Sequence, residues 1–426
     1  MRSLKFTLIT APALAVLLST NAVMAALPLT GVYAPELARL DTILQTWADA
    51  NHIQAATLAV VRDKRLVYER GYGYQDSART QPILPDAKMR LATNSTPMTR
   101  RALQSLIAER ALTPGTNVEQ YLYANLELKF PTKTDAQLSK ITVADIYSYS
   151  TCTNEASPNE AIGVPGPKAW PGTSTERLRW VWTHPKTASF GGPVTKSGGC
   201  VVGVPNSPNN GFSHFSHEIA AEVIAIAAWI RAGRPNTYRP TNDTCPDCIG
   251  YWYGHYIQHD VGEKIGATLL QAQNQAKNAY PNEIWYDSAG QVDCPRWNYW
   301  VCQSRNPPTQ AKVPLAYSID FFARPGSGTV VASARDVARF WIYYDGARDA
   351  STRSNNLSEY SPAWATEGDL PGTYTKIDDL VVGNHPIAWV LLANRNPGGI
   401  KDPVNAINGA LQHVTSWPAR DLFVDK

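Results

Sequence analysis

The sequence predicts an α+β protein, and three observations carry that reading. A hairpin of β-branched strands lies near the start, helices with one apolar face recur through the middle, and a strand followed by a helix closes the chain. Pro35 to Ala50 comes first, where Leu37, Leu40, Ile43, Leu44 and Trp47 fall at helical spacing and give one face to bury. The stretch AATLAVVRDKRLVYERGYGYQD then reads as two strands joined at Arg62 to Arg65. Gly71 and Gly73 lack the further glycines and the lysine that cradle phosphate, so they mark a strand end. Next, Thr96 as N-cap and Pro97 at the first helical position start a helix whose Leu103, Leu106 and Ile107 share a face. Ser216 to Arg231 is a further helix with Ile219, Val223, Ile226 and Ile230 available to a core. In SARDVARFWIYY, Ser333 and Asp336 cap the helix start, and a strand at Ile387 to Ala393 and a helix from Pro403 to Val414 complete the chain.

Composition bounds what such a chain does. Arg2 and Lys5, the apolar run Leu8 to Leu18 and the small residues before Ala26 have the order of a cleavable export signal over residues 1–25, leaving one domain over 26–426. The run of about ten apolar residues is shorter than the roughly 20 that a span needs. Removing Arg2 and Lys5 takes the formal net charge from +3 to +1, so neither nucleic acid nor an acidic surface is implied. About 400 residues with 44% hydrophobic content can bury a large core.

Six cysteines in an exported chain favour disulfides. Proximity along the chain suggests Cys152 with Cys200, Cys294 with Cys302, and Cys245 with Cys248, among about 15 possible pairings. Cys245-Pro-Asp-Cys248 also has the spacing of a redox pair or half a zinc site, but no thioredoxin-like strand and helix surround it, and a stapled loop fits better. Two cysteine-bearing, poorly periodic stretches, about 153–210 and about 244–308, read as insertions.

Several segments, in one order, resemble the serine β-lactamase and penicillin-binding-protein superfamily, closest to its class C, D-Ala-D-Ala carboxypeptidase and esterase branch. LAVVRDKRLVYERGYGYQD resembles that family's first hairpin, MRLATNSTPMTRRALQSLI its nucleophile helix, and ITVADIYSYSTC the segment that usually ends in Thr-His-Thr-Ser-Gly. HYIQHDVGEKIGAT, GSGTVVASARDVARF and IAWVLLANRNP resemble the helix ending in Pro-Leu-Gly-Met, the glycine turn before a late helix, and the last strand. The resemblance implies an antiparallel sheet flanked by the terminal helices, built from about 26–90 and 325–426, with a mostly helical part at about 91–324.

The family's chemistry needs a serine at a helix start, a lysine one turn later on the same face, a tyrosine from Tyr-x-Asn, and a strand with Lys or His, Thr and Gly. Aligned on Arg90-Leu91-Ala92 and Pro97, the serine position holds Thr93 and the lysine position Thr96, and no serine anywhere in the chain is followed three residues later by lysine. In FSHFSHE the second motif falls on Phe215 and His217, without a phenol. Read backward from Pro371-Gly372, the third motif falls on Thr366, Glu367 and Gly368, and only its glycine remains. Tyr123-Ala124-Asn125 and Lys196-Ser197-Gly198 spell two of the motifs in the wrong chain order.

The expectation is therefore an exported relative without the family's catalysis, whose former cleft binds a small molecule, a cell-wall fragment or a protein. Aromatic clusters such as GYWYGHY and RWNYW offer rings for stacking on sugars, or form the bulky core of the insertions. The competing expectation is a serine hydrolase, an esterase, peptidase or acyltransferase, with a replacement set: Ser95 as nucleophile, His214 or His217 as base, and Glu367 as its orienting acid. No cofactor motif is present, and His214, His217 and Glu218 do not have a recognised zinc spacing.

Overall fold

A computed structural model describes residues 27–126, 138–147, 214–240, 248–272, 280–287, 291–293, 312–314, 325–326, 328–344, 367–370, 372–395 and 403–424. The segment 1–25 expected to be an export signal, Thr366, the stretch 153–210 and every cysteine but Cys248 lie outside these residues.

The α+β class holds. An antiparallel sheet of six strands is built from both ends of the described chain, β1 (Leu29–Thr30), β2 (Ala55–Arg62), β3 (Arg65–Gly73), β9 (Glu367–Leu370), β10 (Thr373–Val382) and β11 (His385–Ala393), in the order β1-β3-β2-β11-β10-β9. The β2–β3 loop is Asp63-Lys64, both left-handed at φ 50° and 65°. That backbone suits a two-residue hairpin, because its twist matches that of the strands it joins.

Side chains of the two central strands alternate between two cores. Ala56, Leu58 and Val60 of β2, with Trp389 and Leu391 of β11, pack under α1 (Ala38–Ala50) and the closing helix Val404–Gln412. Ala55, Ala59 and Val61, with Val390 and Leu392, face the larger core, which also holds the described helices of the middle of the chain. This double burial explains why β2 reads as an almost continuous apolar run.

The described middle of the chain includes the helices α2 (Thr96–Ala108), α3 (Val118–Leu126), α4 (Val143–Tyr147) and α5 (His214–Arg231). A second sheet pairs β4 (Lys88–Arg90) and β5 (Leu270–Gln271) with β8 (Val330–Ser333), and a separate pair joins β6 (Gln291–Asp293) to β7 (Lys312–Pro314). Behind β8, α7 (Ala334–Tyr344) has the expected cap: the Asp336 N–H donates to Ser333 Oγ at 3.1 Å, and the Ser333 hydroxyl returns a bond to the Asp336 carboxylate at 2.7 Å.

Two expectations need correction. Residues 248–272 are not a poorly periodic insertion, and the helix expected within HYIQHDVGEKIGAT is present there as helical turns. They form α6 (Cys248–Tyr256), a π-helical turn (Ile257–Gly262) and β5, and Ile249, Trp252, Tyr253, Tyr256 and Ile257 are buried in the main core. Of the GYWYGHY rings only Tyr251 and His255 are exposed. Thr96 is not the N-cap of α2 either. A 3-10 turn, Ala92–Ser95, runs straight into the helix, so Thr96 is its first residue and no side chain caps it.

Candidate functional site

The turn aligned with the family's nucleophile is held on three sides. β4 ends at Arg90, and the Leu91 N–H donates to Val330 O of β8 at 2.8 Å. The chain then reverses at Ala92 with φ 51°, a left-handed conformation that costs an L-residue on the order of 1–2 kcal/mol. Ser95 fixes the far end, because its buried Oγ accepts the Val330 N–H at 3.0 Å. Val330 therefore grips the turn through both its carbonyl and its amide.

A second clamp comes from the large sheet. Asn94 Nδ2 donates to Thr375 Oγ1 of β10 at 2.8 Å, and that hydroxyl donates to Leu91 O at 2.9 Å. Gly368 of β9 stands opposite Thr375 in register. A Cβ on Gly368 would run into Thr375 Oγ1 and Leu91 O and lie 3.1 Å from Asn94 N, so the turn and β9 approach too closely for any side chain. The one residue of the third motif that this sequence keeps is the one that packing demands.

The third side is the bend before β8. Gly328, at φ 123°, lies against Ala92, and Gly326, at φ 91°, lies against the carbonyl of His217 on α5. One turn into α2, the Thr99 hydroxyl donates to Gly326 O at 2.9 Å and stands 2.8 Å from the phenol oxygen of Tyr253 on α6. With the Thr99 proton engaged, Tyr253 is the donor in that second contact. Burial pushes the Tyr253 phenol well above its ordinary range, so it stays protonated as a structural donor.

Thr93 is half-buried at the mouth of this turn, and its hydroxyl has no hydrogen-bond partner among the described residues. Thr96, three residues on and on the same side, is buried and carries no amine. Of the remaining candidates, Ser95 and Glu367 are engaged with other groups. Ser95 makes no hydrogen bond to a histidine, since its hydroxyl serves Val330. Glu367 is exposed and pairs with Lys376 of β10 at 3.2 Å. His217 is fully buried on α5, under the Gly326 bend. His214 and Phe215 fall on the first turn of that helix, and their side chains lie outside the described residues.

Behind the turn, Arg90 and Tyr286 form a compact unit. The Arg90 guanidinium lies 4.3 Å over the Tyr286 ring, whose hydroxyl donates to Glu283 at 2.8 Å and accepts the Arg90 N–H at 3.1 Å. Sequence reading missed this unit and the Asn94–Thr375 clamp. The clamp joins residues 281 positions apart, and no local pattern marks them as partners.

The Beta-lactamase family matches residues 40–176, which include the hairpin and the Thr93 turn. Protein flp of Staphylococcus aureus (strain MRSA252) is 27% identical over 84 residues, 20% of this chain, and the match spans only 17% of the relative's length. Among solved structures, the D-amino acid amidase of Ochrobactrum anthropi SV3 superposes with a TM-score of 0.53 at 14% identity, over 90% of this chain and 100% of the amidase. A class C β-lactamase gives 0.52 at 11% identity over 89% and 97% of the two chains. The octameric penicillin-binding protein homologue of Pyrococcus abyssi gives 0.51 at 14% identity over 90% and 78%. The chain thus has the fold of the serine β-lactamase and penicillin-binding-protein-like superfamily.

Proposed function

We propose that this chain is an exported, β-lactamase-related protein that does not perform the superfamily's acyl transfer and instead binds a ligand in the region above Thr93. The observation that carries the reading is the contrast within the turn. Its backbone is kept in a strained form and clamped from β8, β9 and β10, yet the neighbours that would activate a hydroxyl are absent from the aligned positions. Loss of one essential member of a hydrolase's catalytic set costs on the order of 10⁴ to 10⁶ in turnover. Here Thr96 replaces the amine, and Phe215 with His217 replaces the phenol-bearing motif.

The ligand class that suits such a site is a small molecule, a cell-wall fragment or a protein segment. Export to the periplasm or beyond is part of the proposal and rests on the apolar segment after Arg2 and Lys5. Among the described residues, no helix is long and apolar enough to cross a membrane. Labelling with a fluorescent penicillin tests the central part: no covalent label is expected, whereas a label that survives denaturation would overturn it. Sequencing the N-terminus of protein recovered from the periplasm tests the other, with a start near Ala26 expected.

One observation favours an active alternative, a hydrolase, esterase, peptidase or acyltransferase. Ala92 holds its costly conformation beside a Thr93 hydroxyl that no protein group occupies, and such strain is often stored where chemistry occurs. On that reading Thr93 is the nucleophile, since Ser95 and Glu367 are committed to Val330 and Lys376. A burst of nitrophenol from a chromogenic ester, abolished in Thr93→Ala, would establish it.

A further inference from the structure

We propose that His255 and His259 form an open surface site for a divalent transition-metal ion with a preference for imidazole, such as Zn²⁺, Cu²⁺ or Ni²⁺. The pair spans the junction where α6 passes into the π-helical turn Ile257–Gly262, and such π-turns are frequent at functional positions. Both histidines are exposed, and their ring centroids lie 4.4 Å apart at an interplanar angle of 52°. Two imidazole nitrogens at about 2.0–2.1 Å from one ion in tetrahedral geometry stand roughly 3.3 Å apart, a separation that rings this close reach by side-chain rotation.

The surroundings prepare each ring for ligation. His259 Nδ1 donates to Glu263 Oε1 at 2.9 Å, which fixes the tautomer and leaves Nε2 to face an ion. Glu263 is itself held by Gln258 Nε2 at 3.2 Å. A ligating histidine with a carboxylate on its other nitrogen is the usual arrangement in metal sites. Neither ring nitrogen of His255 has a hydrogen-bond partner among the described residues, and Tyr251 and Trp252 flank its ring at 6.2 Å and 5.5 Å. The nearby cations are already neutralised: Arg231 pairs with Asp260 at 3.1 Å and Glu109 at 2.8 Å, and Lys264 with Glu109 at 3.0 Å.

Among the described residues, no group of three or more His, Cys, Asp or Glu side chains is arranged to hold a metal ion. The site is therefore a two-ligand one, with its remaining positions open to water or to a donor from another molecule, and imidazole donors favour zinc, copper and nickel over magnesium or calcium. Calorimetric titration of the full mature chain, prepared without a histidine tag, with ZnCl₂ and separately with CuCl₂ should show one ion per chain at micromolar affinity. His255→Ala and His259→Ala should each weaken binding at least tenfold, and Glu263→Ala about tenfold. His413→Ala, on the far side of the sheet, should change nothing. Copper bound to the wild type should show the electron-paramagnetic signature of two imidazole nitrogens, and of one in either histidine variant. Absence of saturable binding, or binding that both histidine variants retain unchanged, would overturn the site. Both substitutions are on exposed positions, so unchanged circular dichroism is expected and separates loss of ligation from loss of fold.

Discussion

Two buried polar clusters in this molecule are built on opposite principles. Under α1, the Tyr68 hydroxyl of β3 donates to the Asp41 carboxylate at 2.7 Å, the Tyr72 hydroxyl shares its proton between Tyr68 Oη at 2.6 Å and the same carboxylate at 3.1 Å, and Arg70 approaches that carboxylate at 3.4 Å. At the Thr93 turn, the hydroxyls of Ser95 and Thr375 are engaged only with backbone groups and the amide of Asn94. The first cluster is organised around charge and ties a helix to a sheet. The second stands where the superfamily resemblance places proton transfer, yet its bonds are neutral. Polar burial by itself is no sign of chemistry; what matters is whether an ionisable partner sits beside the reactive atom.

Asp41→Ala should give the largest effect and sharpen the contrast, because it strands two phenols and a guanidinium in the core. A loss of about 3–5 kcal/mol in urea unfolding is expected. The same cluster predicts an alkaline limit. Burial foremost holds the Tyr68 and Tyr72 phenols well above their ordinary range, with Asp41 adding to it for both, so the folded chain keeps protons that the unfolded chain releases near pH 10. Stability from this source is complete below about pH 10 and falls as the pH rises beyond it. A Tyr68→Phe, Tyr72→Phe variant should show a shallower alkaline decline in its urea midpoint.

At the turn, packing rather than charge should dominate. Gly368→Ala forces a methyl group into Leu91 O and Thr375, with an expected cost of about 2–3 kcal/mol. Ser95→Ala leaves the buried Val330 N–H without its acceptor and should cost about 1–3 kcal/mol. Thr93→Ala, which removes a half-buried hydroxyl with no protein partner, should stay within about 0.5 kcal/mol of wild type. A Thr93 variant as destabilised as the Ser95 variant would show that the turn is clamped through a contact not yet recognised.

Local signals carried much of this structure. The hairpin was legible because β2 carries Thr57, Val60 and Val61, β3 carries Leu66, Val67 and Tyr68, and their loop is short and polar, and the α7 start was legible because Ser333 and Asp336 stand at capping-box spacing. α6 was not legible for a physical reason: its apolar residues at 249, 252, 253 and 256 do have helical spacing, but Cys245-Pro-Asp-Cys248 and the Asn, Asp and Pro around it have the composition of a stapled loop. β10 escaped notice because Asp378 and Asp379 interrupt its apolar alternation, yet Asp378 accepts a bond from Asn408 of the closing helix at 2.7 Å. At the site, the positions of Thr93 and Thr96 were legible from short segments. The clamp through Thr375 was not, since it depends on a strand pairing that only the folded sheet creates.

Whether the Thr93 hydroxyl can be acylated is the question that decides among these readings. Intact-mass spectrometry after prolonged incubation with a β-lactam at neutral pH addresses it directly. An unchanged mass is predicted, because no amine or phenol stands at the aligned positions to take the proton. A stoichiometric adduct mapped to the Thr93 peptide would contradict the account and make this chain a threonine-dependent acyl-transfer enzyme.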